Sequence, residues 1–460
     1  MRNVLGYIGS EYFSQDRVRP LIVVKLCFVY EGSHVRMCKR EEADGVRCRV
    51  GGRGGDGSRY QATNQPFFGS GWKPPIEHGR EQLHIEVTTL CYHISDTTMA
   101  FSLKKVFGSI KSNPHLAQSA VGIDIGRGSV KVVELERTED GPVLKTYGEI
   151  QIAPYTDAPI GTTVDFDASM LEKVIVDVFR EAGVSAQHGV LALPLSAGFV
   201  TVIELVAATD ENLESRIPVE ARKYVPIPLK EITLDWTVVG TPTPLENEKV
   251  QYRVLLVALP NETLLQYTQL LSSIELAHQP MELAVFSAVR CLPAAQTGTA
   301  AVLDMGASVA KLAIYQAGTL TAIHRFTAGG GAVTHKLAEL LQIDVAAAEE
   351  LKRSGGVTTE HEADIRRIMA AVYDSSLQEV RRIVQHYESV HQLEPIPIYL
   401  AGGMGAAAGM RPYVSDVLQR PVEPFFPFAV VGYPAFMEDM LRTIGPTFAS
   451  SVGAALRHLQ

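Results

Sequence analysis

Two stretches of this chain lie over one another without a gap. VGIDIGRGSVKVVE begins at Val121 and AVLDMGASVAKLAI begins at Ala301. Asp124 matches Asp304, Gly126 matches Gly306 and Lys131 matches Lys311, all at one constant offset. Each copy reads as an apolar strand ending in aspartate, a glycine turn and a second apolar strand. A duplicated strand–turn–strand unit of this kind points to two similar lobes.

The bulk numbers agree with a large folded chain. At 460 residues, roughly three domains of about 150 residues are expected. The composition is 46% apolar and 20% charged, enough for a sizeable core and free of a disorder-type bias. A net charge of −9 argues against a general nucleic-acid surface, so no nucleic-acid partner is expected. No run approaches the roughly 18 apolar residues of a membrane span. Pro20 to Tyr30 comes closest and is interrupted by Lys25, with no secretory signal ahead of it.

The first 98 residues differ from the rest. They hold four of the five cysteines (Cys27, Cys38, Cys48, Cys91) without a C-x-x-C pair, which does not support a zinc site. They carry 13 basic and 11 acidic residues, a net of +2 against −11 for the remainder. No strand or helix period is read to persist through Arg36 to Tyr60. Met99 therefore reads as the start of the protein proper, with 1–98 a non-native extension or a disordered tail.

From Met99 onward the pattern is mixed α/β. Ser169 is a candidate cap for the helix MLEKVIVDVFREAG, with Gly183 as its stop. A helix around Glu211 to Tyr224 must tolerate Pro218 or break there. ITLDWTVV and KVQYRVLLVAL read as strands, NETLLQYTQLLSSIEL as an amphipathic helix, and the longest helical pattern runs from about Glu360 to His391.

Glycine permits close backbone approach, and successive N–H groups in a tight turn form an anion-binding concavity. Two such turns facing one another would grip a phosphate chain from both sides. Asp124 and Asp304 cannot hold phosphate directly, but they can hold Mg²⁺ through its waters. Gly126, Gly128, Ser129, Gly306, Ala307 and Ser308 would form the cradle. A plain hairpin with a turn-capping aspartate explains one copy as well; the matched pair favours the phosphate reading. A third element, IPIYLAGGMGAAAGM, reads as a strand, then Gly402 and Gly403, then a helix starting near Gly405, a common setting for a nucleotide. The chain has neither a dinucleotide-type G-x-G-x-x-G with its acidic partner nor a P-loop.

With these motifs in hand, the chain resembles the PilM family, actin-like proteins of type IV pilus assembly related to the division protein FtsA, within the actin, Hsp70 and sugar-kinase superfamily. The resemblance rests on GIDIGRGSVKVVEL, VEARKYVPIPLKEITLDWTVVG, LDMGASVAKLAIY, AEELKRSGG and FASSVGAALR, and spans about Phe101 to the C-terminus. It implies an α/β, two-lobed actin-like ATPase fold with duplicated RNase H-like domains around a nucleotide cleft. The first lobe would cover 99–299, with a small α+β domain of SHS2 type inserted at about 201–276. The second would cover 300–460, with a helical subdomain at about 340–394.

The resemblance also assigns roles. The phosphate-1 turn would run from Asp124 to Lys131 and include Arg127, where relatives carry Ser or Thr. The phosphate-2 turn would run from Asp304 to Ser308. Gly402 and Gly403 would meet the ribose and adenine on one side, Glu349 and Lys352 on the other. The i, i+3 spacing puts that pair on one helix face, as it would an ordinary solvated ion pair. ATP and Mg²⁺ are the implied cofactors, with slow or no turnover, because LALPLSAGF offers no water-polarising residue; Glu282 is the best-placed remaining carboxylate. The implied partner is a PilN-type bitopic inner-membrane protein, whose N-terminal cytoplasmic peptide would enter a groove between the first lobe and the small domain. Tyr224, Val225, Pro226, Ile227 and Pro228 are candidates for that surface, unless VPIP only ends a helix. Pilus motor components, a role in twitching motility, self-association, and a peripheral position on the cytoplasmic face of the inner membrane follow from the same resemblance. The alternatives are an FtsA-like division adaptor, which would carry an amphipathic membrane tail where this sequence reads FASSVGAALRHLQ, and a sugar-kinase-like phosphotransferase, which would need a catalytic aspartate in a sugar pocket.

Overall fold

The computed structural model describes residues 118–459 apart from 210, 247, 275, 277–279, 294–297 and 355–360, together with the backbone of four strands within residues 4–50. Those strands are β1 (Val4–Tyr7), β2 (Lys25–Glu31), β3 (His34–Arg40) and β4 (Val46–Val50), forming one sheet in that order. This corrects the expectation that no strand pattern runs through 36–60. The signal is local: VRCRV alternates apolar and charged residues with the period of a strand. The rest of 1–98, and with it the reading of Met99 as a start, lies outside the described residues.

The repeat read from the sequence is a repeat of whole sheets. β5 (Ser119–Ile125), β6 (Ser129–Thr138), β7 (Gly141–Gln151), β8 (Gly189–Leu193) and β12 (Met281–Leu283) form a sheet ordered β12-β8-β5-β6-β7. β13 (Thr299–Met305), β14 (Ala310–Gln316), β15 (Thr319–Phe326), β16 (Ile398–Ala401) and β17 (Glu423–Pro424) form a second, ordered β17-β16-β13-β14-β15. Registers coincide as well. Asp124 lies opposite Lys131 on one side and Ala192 on the other, and Asp304 lies opposite Lys311 and Ala401. The central strands are covered on both faces, which is why they read as unbroken apolar runs and not as alternating ones.

On the first sheet, α1 (Ala168–Ala182) buries Leu171, Val174, Ile175 and Val178, spaced for one helix face. Its cap is Asp167, whose carboxylate accepts from the Met170 N–H at 2.7 Å, and not Ser169, which lies inside the first turn. Gly183 ends it at φ 67. On the second sheet, α5 (Gly330–Leu341), α7 (Glu362–His391) and α8 (Met410–Leu418) cover one face. α7 buries Ile365, Met369, Tyr373, Leu377, Val380, Val384 and Tyr387 at steps of three and four, with Ile368 beside them, each aliphatic or Met side chain contributing about 1.5–3 kcal/mol of burial. The opposite face, through Val302, Ala313 and Tyr315, joins the core of the first lobe.

Between the lobes' sheets in sequence sits a separate layer. β9 (Phe199–Ala208), β10 (Ile232–Pro244) and β11 (Lys249–Pro260) form an antiparallel sheet ordered β10-β11-β9. With α2 (Leu213–Ala221) it has its own core of Ile203, Leu205, Ile217, Ala221, Val254 and Leu256. α2 keeps Pro218 inside its span. The next helices, α3 (Asn261–Ser273) and the short α4 (Ala284–Ala288), place Leu270, Leu271 and Phe286 in the first-lobe core, so this small unit is built from residues before them. From β11, the Arg253 guanidinium donates to the Thr321 carbonyl of β15 at 2.8 Å, a direct link to the second lobe.

Candidate nucleotide cleft

The two aspartate turns have one backbone design. Gly126 N–H donates to Ser129 O, and Gly306 N–H donates to Val309 O, both at 3.0 Å. They also face each other: a Cβ added at Gly128 would lie 3.2 Å from the Ala307 Cβ. The cradle expected from the sequence, Gly126, Gly128 and Ser129 with Gly306, Ala307 and Ser308, is thus brought together across one gap. The third element also arrives there. β16 runs into Gly402, which holds φ 86, and a Cβ at that position would sit 2.4 Å from the Asp304 Oδ1. Only glycine serves, on grounds of both conformation and space. Beyond Gly402 and Gly403 the chain makes turns, and α8 begins at Met410, not near Gly405. The run Gly405 to Gly409 lacks a side-chain cap, and Gly409 at φ 77 delays the helix.

Charge around the turns is unevenly placed. Lys311 Nζ lies 2.6 Å from Asp304; burial works against its ammonium, but Asp304 and Asp124 outweigh that and raise its pKa. Lys131 instead donates to Ser129 Oγ at 2.7 Å and pairs with Glu149 at 3.4 Å. Asp124 is left with a raised pKa, chiefly from burial, against the opposing pull of Lys131 and Lys311. Arg127 projects from the first turn and pairs with the exposed Asp165.

Glu349 and Lys352 lie on α6 (Val345–Ser354) and are paired at 2.5 Å, both buried. Burial alone would raise the Glu349 pKa, but the Lys352 ammonium, the Thr334 hydroxyl and Arg353 reverse this and keep it a carboxylate. Thr334 Oγ1 donates to Glu349 at 2.7 Å, and Lys352 Nζ reaches Thr334 Oγ1 at 3.0 Å.

Several residues at the cleft escape sequence reasoning. Gly330 N–H and Gly331 N–H, opening α5, donate to the Gly306 and Ala307 carbonyls at 2.9 and 2.8 Å and dock that helix on the second turn. The AGGG run at 328–331 was the available signal. With the Gln151 amide turned so that both of its ends are satisfied, its oxygen accepts from Arg353 of the second lobe at 2.9 Å and its nitrogen donates to Gly128 O at 3.2 Å. Thr334 had no signal at all.

Two sequence assignments are corrected. Glu282 is fully buried and accepts from Ser287 Oγ at 2.5 Å, Arg290 at 2.6 Å and Arg457 at 2.7 Å. Both oxygens are committed to an ion cluster inside the first lobe, so this carboxylate has no face left to polarise a water. Val225 is 6% exposed and belongs to the small-domain core, so it is not free for a partner; Ile227 is half-buried and packs against that core. Tyr224, Pro226 and Pro228 of the same segment are exposed.

The family model for type IV pilus assembly protein PilM matches residues 122–459. The chain belongs to the PilM family. Among solved structures, a PilM–PilN type IV pilus biogenesis complex is 26% identical with a TM-score of 0.61, covering 74% of this chain and 98% of that one. The ethanolamine utilization protein EutJ from Carboxydothermus hydrogenoformans is 17% identical at TM-score 0.43, over 75% of this chain and 91% of its own. MreB 5 of Spiroplasma citri, bound to AMPPNP, is 11% identical at TM-score 0.43, over 74% and 94%. This PilM-family chain has the two-lobed actin-like fold, and it is a type IV pilus assembly protein.

The residues present fit a nucleotide. Ser308 Oγ, in the second turn, is buried and without a hydrogen-bond partner, a costly state that a phosphate oxygen would relieve. Among the described residues no group of three or more His, Cys, Asp or Glu could cage a metal. A cation beside Asp124 and Asp304 would draw on phosphate and water for its other ligands, as Mg²⁺ does.

Proposed function

We propose that this chain is an ATP-binding scaffold of type IV pilus assembly that joins a PilN-type inner-membrane protein to the pilus machinery. The observation that carries the nucleotide part is the close approach of Gly128 to Ala307, where an added Cβ would lie 3.2 Å from the Ala307 Cβ, so that two phosphate-type turns stand face to face. Asp124 and Asp304 would position Mg²⁺ through water. Arg127, Ser129, Lys131 and Ser308 would meet phosphates. Gly402, Gly403, Glu349 and Lys352 would flank the ribose and base. Bound Mg-ATP supplies charge that both lobes can share, and it shifts the lobes only by its preference for the closed arrangement. Turnover is slow or absent on this reading, because Glu282 is locked in its ion cluster.

The partner part is supported by the similarity to a PilM–PilN complex. The cytoplasmic N-terminal peptide of a bitopic protein would lie between the first lobe and the small domain, near Tyr224, Pro226 and Pro228. Arg253 ties that domain to β15 of the second lobe, giving lobe movement a way to alter the groove. Among the described residues no helix is long and apolar enough to cross a membrane, so the protein would be held at the cytoplasmic face of the inner membrane through its partner. Motor components of the pilus, and through them twitching motility, would lie downstream. The family match favours this over the division-adaptor and sugar-kinase alternatives. The test is to tag the chain, solubilise native membranes gently, and identify what co-purifies with and without Mg-ATP. A small bitopic protein and pilus components are expected; division proteins, or none with rapid ATP turnover, would overturn the reading.

A further inference from the structure

Between a short 3-10 turn at Ala153–Thr156 and the start of α1, the chain leaves the first lobe and returns to it. Asp157 at φ 56 and Gly161 at φ 93 turn it outward. At its far point it touches the second lobe. A Cβ at Gly161 would lie 2.9 Å from the Glu349 Cβ and 3.0 Å from the Thr334 Cγ2, so no larger residue could rest there. A Cβ at Gly331 would lie 3.2 Å from the Thr163 Cγ2. Thr162 Oγ1, between these contacts, is buried without a hydrogen-bond partner. On the return leg, Asp165 takes the Arg127 guanidinium of the first phosphate turn.

The two attachments differ in kind. The far point lies over Glu349, which with Lys352 would flank the ribose on the reading above, and it leaves the Thr162 hydroxyl unsatisfied. The near tie is solvent-exposed, with Arg127 40% and Asp165 89% accessible. Pairs of that sort contribute little. A polyphosphate held between the two turns carries several negative charges and can take a guanidinium in a bidentate manner. One exposed carboxylate cannot compete with it.

We propose that residues 157–167 form a strap that shuts the cleft over Glu349, tied by Asp165 to Arg127, and that nucleotide phosphates open it by taking Arg127 from Asp165. This rests on the ATP-binding reading above. Release of the strap frees Glu349 and Lys352 and relieves the buried Thr162 hydroxyl.

The test combines hydrogen exchange on the full chain, with and without Mg-AMPPNP, and titration with a fluorescent ATP analogue. It compares the wild type with Asp165→Asn and Asp157→Asn. The second variant removes one charge from the same strap without touching Arg127. In the wild type, the amides of the strap should exchange faster once Mg-AMPPNP is bound. Asp165→Asn should show fast exchange without nucleotide and bind about two- to fivefold tighter, while Asp157→Asn matches the wild type. Slower exchange of the strap on nucleotide binding, or an equal gain in affinity from Asp157→Asn, would overturn the strap. Equal affinity in the wild type and Asp165→Asn overturns it too and leaves ATP binding standing. No binding by any of the three overturns both.

Discussion

The two aspartate turns share a register, a hydrogen bond and a facing lysine, yet they are not chemically equal. In the second turn Lys311 sits directly on Asp304 and holds it in place. In the first, Lys131 is drawn away to Ser129 and Glu149, and Asp124 carries the cost of burial with less direct relief. Duplication sets the backbone; a few side chains then divide the labour. Asp304 is an anchored carboxylate, and Asp124 is the one with most to gain from a cation.

The edge strands repeat the contrast. Glu282 lies opposite Ala192, the neighbour of Asp124 in the first sheet. In the second sheet Ala401 neighbours Asp304, and β17 reaches the equivalent place at Phe425, one residue past Pro424. Both positions are fully buried, one by an ion cluster and one by an aromatic ring. A buried ion cluster is weak evidence for extra stability, but removing one member leaves charges unpaired.

The largest effect should come from that cluster. Glu282→Gln should cost about 3–5 kcal/mol in a denaturant titration, while nucleotide turnover per folded molecule stays unchanged. A selective loss of turnover would restore Glu282 as a catalytic group. Gly402→Ala should cost about 1–2 kcal/mol from the left-handed backbone alone. It should also abolish nucleotide binding, as its methyl displaces the Asp304 carboxylate; calorimetric titration with Mg-ATP reads this.

The sharpest break of the comparison uses the aspartates themselves. Each of Asp124→Asn and Asp304→Asn should weaken Mg-nucleotide binding by about ten- to a hundredfold, the usual cost of losing an outer-shell partner. Their effects on stability should have opposite signs. Asp304→Asn should lose about 1 kcal/mol with its Lys311 pair. Asp124→Asn should raise Tm at neutral pH, because it removes a carboxylate that burial disfavours. pH dependence follows the same sign. Asp124 has a folded pKa above its ordinary 3.8, so its contribution to stability falls as pH rises from 3.8 through the folded pKa. Over that window, Mg-nucleotide binding should strengthen, since it needs the carboxylate. Thermal melts and nucleotide titrations across that range check both.

What was legible in the sequence was local. The repeated VGIDIGRGS and AVLDMGASV patterns imply paired strands and a turn wherever they fold, so the duplicated strand–turn–strand unit could be read directly. Glu349 and Lys352 were legible as one helix face. What was not legible was assembled over distance. Glu282 looked like a free carboxylate because folding assembles its partners: Ser287 and Arg290 turn back onto it, and Arg457 comes from 175 residues away. Val225 looked like part of a docking surface because its burial depends on a sheet that surrounds it on both sides in sequence. The strap could not be seen, since nothing in APYTDAPIGTTVDFD says which helix it will touch. The strand at Val46–Val50 was missed for a different reason: VRCRV is a period-2 signal only five residues long.

The central claim is that two aspartate turns bind one Mg-nucleotide between them. The direct measurement is a titration of the full chain with a fluorescent ATP analogue, with and without Mg²⁺, in the wild type, Asp124→Asn and Asp304→Asn. The account predicts a single saturable site that needs Mg²⁺ and is weakened by both substitutions. Binding that is indifferent to Mg²⁺, or that survives both substitutions, would contradict it.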